Sequence, residues 1–467
     1  MSDNDGRYVG GHAVVLGASL AGMLSAAALA RHMDRVTVIE RDELAARPGW
    51  RRGVPQSRHA HNLMTAGHRA MDRLLPGIVA ELRAAGMVRV RMPEDMLLLT
   101  AGGWMPRFTT GLEMMTSSRD LIDAVIRRRI AAHPRISLLD ETEVLGLEAD
   151  RNGAGVRAVL LRRRSSSGTD GWGASERLTA DFVVDATGRT SRSSQWLAEL
   201  GYQAPSESVV DAKTAYATCV FEPPPGHSAD WNCILLQATP QDPVQGILNP
   251  IEDGRWMVSL AAFGGGRPPT DHQGFLSYAK NLRSPVLYEV LRDAKPLTPV
   301  YGSGRTENRR RHFERLRRWP ERFLVLGDAA CALNPSYGQG MSVSASCAVI
   351  LDQALESRGS LDRLATGVRR ATARTTGDAW QLATTADLAY PGLAADAAWP
   401  VRMMIRYLYR VVAVSPDSKA ASRALLDINQ MVAPPQAMFR PRVLAAATRG
   451  PRRAAPLADP PPAVVSS

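Results

Sequence analysis

The chain is short of lysine, cysteine, aromatic residues and long apolar runs, and these shortages remove whole classes of function. Lysine provides four of the 57 basic residues: Lys213, Lys280, Lys295 and Lys419. The net charge of +11 is therefore an arginine charge, and it reads as a GC-rich coding background rather than a phosphate-binding design. No nucleic-acid module accompanies it, so nucleic acid is not an expected partner. The four cysteines, Cys219, Cys233, Cys331 and Cys347, fall in no CxxC pair and no metal-ligand spacing. Neither a disulfide framework nor a metal site is expected, and a reducing cytoplasm suits them best. The polar start MSDNDGRYVGG leads into a short apolar run, so neither a signal peptide nor a membrane span is expected.

What the chain does have is length, 467 residues at 45% hydrophobic content, enough for two or three domains with a substantial core. Its first structured segment, residues 12–42, reads HAVVLGASLAGMLSAAALARHMDRVTVIERD. A buried strand, a Gly-rich turn, an Ala-rich helix and a second strand ending in Glu40 make a βαβ dinucleotide unit. Gly17 makes the tight turn, Gly22 lets helix and strand pack closely, and the helix N-terminus faces a pyrophosphate. Glu40 is placed to accept hydrogen bonds from ribose hydroxyls. Ser19 stands where GxGxxG has its second glycine, adding a Cβ and a small hydroxyl. A ligand-free tight turn is the bland alternative for this segment alone.

A second segment, VLGDAACALNPSYGQGM at 325–341, runs from an apolar strand into Gly327-Asp328 and on through Pro335, Gly338 and Gly340. Asp328 is placed to bind a second chain of ribose-like hydroxyls. The helix that begins at Gly340-Met341 offers free N–H groups and a partial positive charge, which suit a flavin edge that turns negative on reduction. Two further pieces are ADFVVDATGRTS at 180–191, a strand closing on Asp185, and SSRDLIDAVIRRRI at 117–130, a helix with Arg119 in its first turn.

The order GxSxxG, Arg119, ATG and GDAA…NP…GQGM resembles the group A FAD-dependent monooxygenases, the fold of para-hydroxybenzoate hydroxylase. Three further strings, RRGVPQSRHAHNL at 51–63, PIEDGRW at 250–256 and PLTPVYGSGRTENRRRHFERLRRWP at 296–320, are similar to the flavin-dependent epoxidases of polyether biosynthesis, such as the monensin and lasalocid epoxidases. The resemblance spans about residues 12–390. It implies an α/β fold: a Rossmann-like FAD domain of the glutathione-reductase type from 1–84, 115–201 and 302–364, with an inserted α+β substrate domain from 85–114 and 202–301 that includes an antiparallel sheet. C-terminal helices would follow over 365–436, and the Pro/Ala-rich end, 437–467, reads as a disordered tail. Cofactor contacts implied are Gly17, Ser19, Gly22, Glu40, Arg41, Arg52, Arg119, Asp328, Pro335, Gly338, Gly340 and Met341, with Gln56 on a loop near the flavin.

The implied reaction is epoxidation of alkenes in a hydrophobic polyketide or isoprenoid intermediate, free or carrier-bound, through a flavin C4a-hydroperoxide. FAD is the cofactor, NADPH or NADH the transient reductant and O2 the co-substrate. No side chain is assigned as a catalytic base. An aromatic hydroxylase, with Tyr216 or Tyr337 as a relay, and a flavin-dependent alkene reductase of the geranylgeranyl-reductase type remain alternatives, with a non-catalytic arginine-rich binder more distant. Halogenation is disfavoured, because the first lysine is Lys213 and no WxWxIP string occurs. His59 and His61 lack an acidic or cysteine partner nearby and read as structural rather than metal-binding. The arginine-rich stretch 305–322 is either a solvated face or a phosphate-attracting one, with Arg309 and Arg310 as its test. The helix pattern at 398–414, with Arg402, Arg406 and Arg410 on one side, fits packing on the enzyme body, with peripheral membrane contact as the alternative.

Overall fold

The computed structural model describes residues 9–45, 47–165, 171–390, 393 and 398–451. Its centre is a five-stranded parallel sheet in the order Phe323–Val325, Phe182–Asp185, His12–Leu16, Arg35–Ile39 and Ile136–Leu139. These strands are nearly continuous runs of apolar residues, as a sheet covered on both faces requires. Leu16 pairs with both Ile39 and Asp185, and Asp185 pairs with Val325. The C-terminal ends of the strands are therefore level, and the GAS turn, the ATG loop and the Gly327-Asp328 turn meet at one edge, where open α/β sheets hold their ligands.

The helix Leu20–Ala30 is buried along its whole length. One flank packs on the helix Gly340–Arg358, and the joint is closed by Asp352, whose buried carboxylate accepts from Arg31 Nη1 at 2.7 Å and contacts His32 Nε2 at 3.0 Å. The helix that follows the glycine turn and the helix that follows the second motif are thus fixed to each other.

A second sheet carries the inserted region. Its order is Lys295–Pro296, Ala215–Glu222, Trp256–Ala262, Val244–Pro250, Cys233–Leu236, Met96–Thr100 and Gly103–Trp104, with Tyr301–Ser303 also paired to Ala215–Glu222. The sheet is mixed rather than purely antiparallel, because Met96–Thr100 runs parallel to Cys233–Leu236. Helices His272–Lys280 and Val286–Leu291 cover one face through Phe275, Leu287 and Leu291, all fully buried. The other face, which carries Tyr216, Ser259 and Ala261, looks toward the C-terminal ends of the parallel sheet. A small sheet of His61–Leu63, Leu112–Ser117 and Val88–Met92 bridges the two regions.

The C-terminal helices are Leu364–Asp387, Trp399–Val414, Lys419–Asn429 and Pro441–Arg449. The last lies within the stretch expected as a disordered tail. Val443, Ala446 and Ala447 are buried there against Val411, Val414, Ala421 and Ala424, so apolar contacts invisible to composition extend the fold to Arg449. The rest of the expected tail, from residue 452 on, lies outside the described residues. In Trp399–Val414 the C-terminal half packs inward through Leu408, Val411 and Val414, while Trp399 is 66% and Met403 42% exposed. Among the described residues no helix is long and apolar enough to cross a membrane.

Candidate active site

A cavity of about 1170 Å³ runs from the glycine turn to the face of the second sheet. Of the expected cofactor residues, Gly17, Ser19, Glu40, Arg41, Arg52, Arg119, Asp328, Pro335, Gly338, Gly340 and Met341 all line it. Gly22 does not; it lies one turn into the helix and acts by contact. A Cβ placed on Gly22 would sit 1.8 Å from the carbonyl oxygen of Gly17, so only glycine lets the helix start this close to the strand. Gly17 itself has φ +94°, and a Cβ there would lie 2.7 Å from Ala186 O. The turn is tight because two strand ends meet over it.

This geometry fits a dinucleotide. Ser19 caps the helix from extended backbone without using its side chain as a cap acceptor, leaving the helix N-terminus open to the cavity. Glu40 takes its shape from the turn: its Oε2 accepts from Ala18 N–H at 2.8 Å and its Oε1 from Arg41 N–H at 2.8 Å. Arg51 steadies it from behind, with Nη1 3.4 Å from Glu40 Oε2 and Nη2 3.7 Å from Asp123 Oδ2. Arg51 is buried and Arg52, its neighbour, lines the cavity. Nothing in the RRG string tells which of the two arginines turns inward; that depends on Glu40 and Asp123 converging from different elements.

Arg119 opens the helix Arg119–Ala131, whose Ser118 side chain accepts from Leu121 N–H. Its guanidinium is held toward the cavity by Asp123 one turn on, Nε to Oδ1 at 2.8 Å. Asp185 organises the ATG loop from a fully buried position, accepting from Thr187 N–H, Thr187 Oγ1 and Ser191 Oγ at 2.8, 2.6 and 2.5 Å, and from Ser193 Oγ. Beyond that loop, Arg189 lines the cavity and donates to Glu307 O and Leu333 O, both at 2.8 Å, tying the ATG loop to the second motif. Burial pushes the Asp328 carboxyl above its usual range, against the opposing pull of Arg189 and Arg119.

The opposite end of the cavity is built from side chains on the sheet: Tyr216, Gln245, Ile247, Ser259, Ala261 and Ser303. None was assigned from sequence except Tyr216, as a relay candidate. Here a buried hydrogen-bonded chain runs from His59 Nδ1 to Thr218 Oγ1 at 2.9 Å and on to Ser259 Oγ at 2.6 Å. His59 packs edge-on to Tyr216, with ring centres 4.4 Å apart. Burial, and then Arg58, push His59 down to about 4; burial, and then Arg119, push His61 down to about 3. Both rings are neutral at pH 7 and serve as hydrogen-bonding groups. His61 Nδ1 lies 2.8 Å from His59 O, and among the described residues no cluster of three metal-ligand side chains exists. Tyr337 does not line the cavity; its hydroxyl donates to Asp387 at 2.5 Å.

In the arginine-rich stretch Arg305, Arg315, Arg317 and Arg318 are exposed, while the three arginines of the strand Asn308–Arg311 are paired within the fold. Arg309 pairs with Glu207 at 2.6 Å, Arg310 with Glu314 at 2.9 Å, and Arg311 with Glu207 at 3.1 Å. Arg309 and Arg311 also line the cavity, and Arg305, which lines it too, is exposed.

Comparison with known proteins agrees with this geometry. The chain is 32% identical over 387 residues to Protein Rv3254 of Mycobacterium tuberculosis, covering 81% of this chain and 80% of that protein. Among solved structures it is similar in fold to p-nitrophenol 4-monooxygenase PnpA from Pseudomonas putida, at 18% identity and a TM-score of 0.61 over 91% of this chain and 98% of that one. It is also similar to the flavin-dependent brominase Bmp2, at 13% identity and a TM-score of 0.63 over 90% and 93%. The architecture is the α/β fold of para-hydroxybenzoate hydroxylase type. The model of the family described as FAD binding domain matches residues 12–360, and the chain, with its dinucleotide turn, helix N-termini and cavity in register with that match, belongs to this family of FAD-binding proteins.

Proposed function

We propose that the protein is an FAD-dependent monooxygenase that epoxidises alkenes of a hydrophobic polyketide or isoprenoid intermediate. The observation that carries this reading is the continuous cavity of about 1170 Å³, which joins the dinucleotide turn to a wall on the second sheet. When bound, FAD supplies two-electron chemistry and the activation of O2. The chain's own part is to hold and enclose. Gly17, Ser19 and Glu40 would hold the nucleotide half, Asp328 the ribityl hydroxyls, and the turn from Pro335 to Met341 the ring edge. Ile247, Ala261 and Tyr216 would seat the apolar substrate, and the neutral His59 and His61 keep a charged, hydrated base away from the reacting alkene.

NADPH or NADH would dock only transiently, since no second βαβ unit follows the first among the described residues. Arg305 on the rim is the suited anchor for its phosphates. The four cysteines, all unpaired and buried, suit a cytoplasmic enzyme, and Trp399 and Met403 beside Arg406 suit a passing contact with a membrane that stores an oily substrate. The chain His59–Thr218–Ser259 favours a second reading, hydroxylation of a phenol whose proton leaves along that relay.

The test is to load the protein with FAD, reduce it anaerobically with NADPH and mix it with oxygen in the presence of candidate polyenes or phenols. Gain of one oxygen per alkene supports epoxidation, and gain on a phenol ring supports hydroxylation. Gain of two hydrogens across an alkene, with no oxygen incorporated, overturns both in favour of a reductase.

A further inference from the structure

Behind the turn that closes the flavin side of the cavity lies a buried carboxylate with no cation. Asp387, at the end of the helix Leu364–Asp387, is fully buried. Its Oδ2 accepts from Asn308 Nδ2 at 2.5 Å, both its oxygens lie 3.2 Å from Asn334 Nδ2, and its Oδ1 accepts from the Tyr337 hydroxyl at 2.5 Å. Among the described residues no arginine, lysine or histidine pairs with it. The other titratable groups that face this cluster are Tyr390, Tyr409 and Asp211, none of them a cation.

A buried charge held by neutral donors alone costs stability, and a hydrophobic or amide replacement usually costs less. The donors that surround this one are the turn itself. Asn334 Oδ1 accepts from Ser336 N–H at 3.1 Å, Asn334 N–H donates to Asn308 Oδ1 at 2.7 Å, and Tyr337 precedes the left-handed Gly338 from which the helix N-terminus at Gly340 follows. Pro335, Ser336, Gly338 and Gly340 line the cavity, whereas Asp387 lies behind them and touches none of it.

We propose that Asp387 is a positioning residue for FAD: through Asn334 and Tyr337 its ionised carboxylate fixes the turn 334–338, and protonation of that carboxylate releases the turn. A carboxylate accepts these three side chains with charge-assisted bonds, whereas the neutral acid presents one hydrogen that must displace a donor. Burial, against the opposing hydrogen bonds of Tyr337, Asn334 and Asn308, pushes the Asp387 carboxyl up to about 6. The release therefore falls in mildly acidic solution. The fold prefers the neutral acid, so Asp387 lowers global stability as pH rises from about 4 to about 6 while it orders the local turn. Asp387's own contribution to stability and its grip on the cofactor are predicted to move in opposite directions with pH.

The experiment rests on the cavity being the FAD site, and it reads binding rather than turnover. FAD is titrated into apo-protein from pH 5 to pH 8 by quenching of flavin fluorescence, with thermal melts alongside, for wild type, Asp387→Asn and Tyr337→Phe. In wild type, affinity is expected to fall about tenfold from pH 7.5 to pH 5. Asp387→Asn is expected to bind with the weaker affinity at every pH, with the dependence gone, and to melt no lower than wild type at pH 8. Tyr337→Phe keeps the pH dependence at reduced size. An Asp387→Asn variant with the wild-type pH profile overturns the proposal, as does one that loses affinity only in step with a lowered melting temperature. Asp328, a carboxyl that lines the cavity and is raised by burial, would be the source of a profile that survives Asp387→Asn. Wild-type protein that binds no FAD at any pH would instead overturn the assignment of the site.

Discussion

The two ends of the cavity are built from different material. The nucleotide end is backbone: a turn at Gly17, a helix N-terminus at Ser19 and a contact at Gly22 too close for any Cβ. The sheet end is side chains, Tyr216, Gln245, Ile247, Ser259, Ala261 and Ser303, brought from four strands spread over nearly ninety positions. A site that uses backbone shape has to use particular residues in a fixed order, because few residues allow that shape. A wall that uses side-chain surface accepts many residues of suitable size, so its composition follows the ligand rather than a motif. The first end carries the motif that the family match covers, and the second carries none.

Changing the backbone end is expected to have the largest effect. Gly22→Val puts a side chain where 1.8 Å separates a Cβ from Gly17 O, and it should cost about 3 kcal/mol or more with loss of bound FAD, read from the melt and the visible spectrum. Should Gly22→Val bind FAD normally, the contrast between the two ends fails. Asp328→Ala removes a side-chain group at the same end and should weaken FAD about ten- to a hundredfold while leaving the melt nearly unchanged.

Acid should act next, and through the sheet end. His59 and His61 are held neutral well below the usual histidine range, so the unfolded chain binds more protons than the folded one, and stability falls as pH drops below about 6.5. Each histidine contributes about 1.4 kcal/mol per pH unit until its folded value near 4 or 3 is reached. Denaturant melts from pH 7 to pH 4 check this, and His59→Gln should flatten part of the slope. The opposite-signed contribution of Asp387 is smaller and lies in the same range, so the slope should steepen in Asp387→Asn.

Ser259→Ala sharpens the comparison from the other side. It should leave FAD affinity within about twofold and change substrate KM or product identity, at a stability cost of about 1 kcal/mol from the lost bond to Thr218. The smallest effect is expected at the rim. Arg305→Gln should raise the apparent KM for NADPH a few-fold with no change in melt, because Arg305 is exposed, whereas Arg309 and Arg310 hold Glu207 and Glu314 and would report on folding instead.

How much of this the sequence disclosed follows the same division. Glu40, Arg119, Asp328 and the glycines were legible because each sits at a set distance from a strand end or helix start. Arg52 lines the cavity as expected, but the supporting role of Arg51 was not legible, because it depends on Glu40 and Asp123, eleven residues before and seventy-two after. Asp387 carries no local signal at all, and the helix Pro441–Arg449 was hidden by a composition typical of tails. Tyr337, a relay candidate by its place in the second motif, points away from the cavity into the cluster of Asp387.

By itself the sequence determined the dinucleotide unit, the second motif and the order in which they recur, since positive φ, close approach and helix N-termini are properties of a few consecutive residues. Only the tertiary structure decided which strands form the sheet wall of the cavity, that Arg51 backs Glu40, that His59, Thr218 and Ser259 form one chain, and that a carboxylate from the C-terminal helices stands behind the turn 334–338. Those are meetings of residues far apart in the chain, fixed by packing of the whole molecule and written in no single stretch of it.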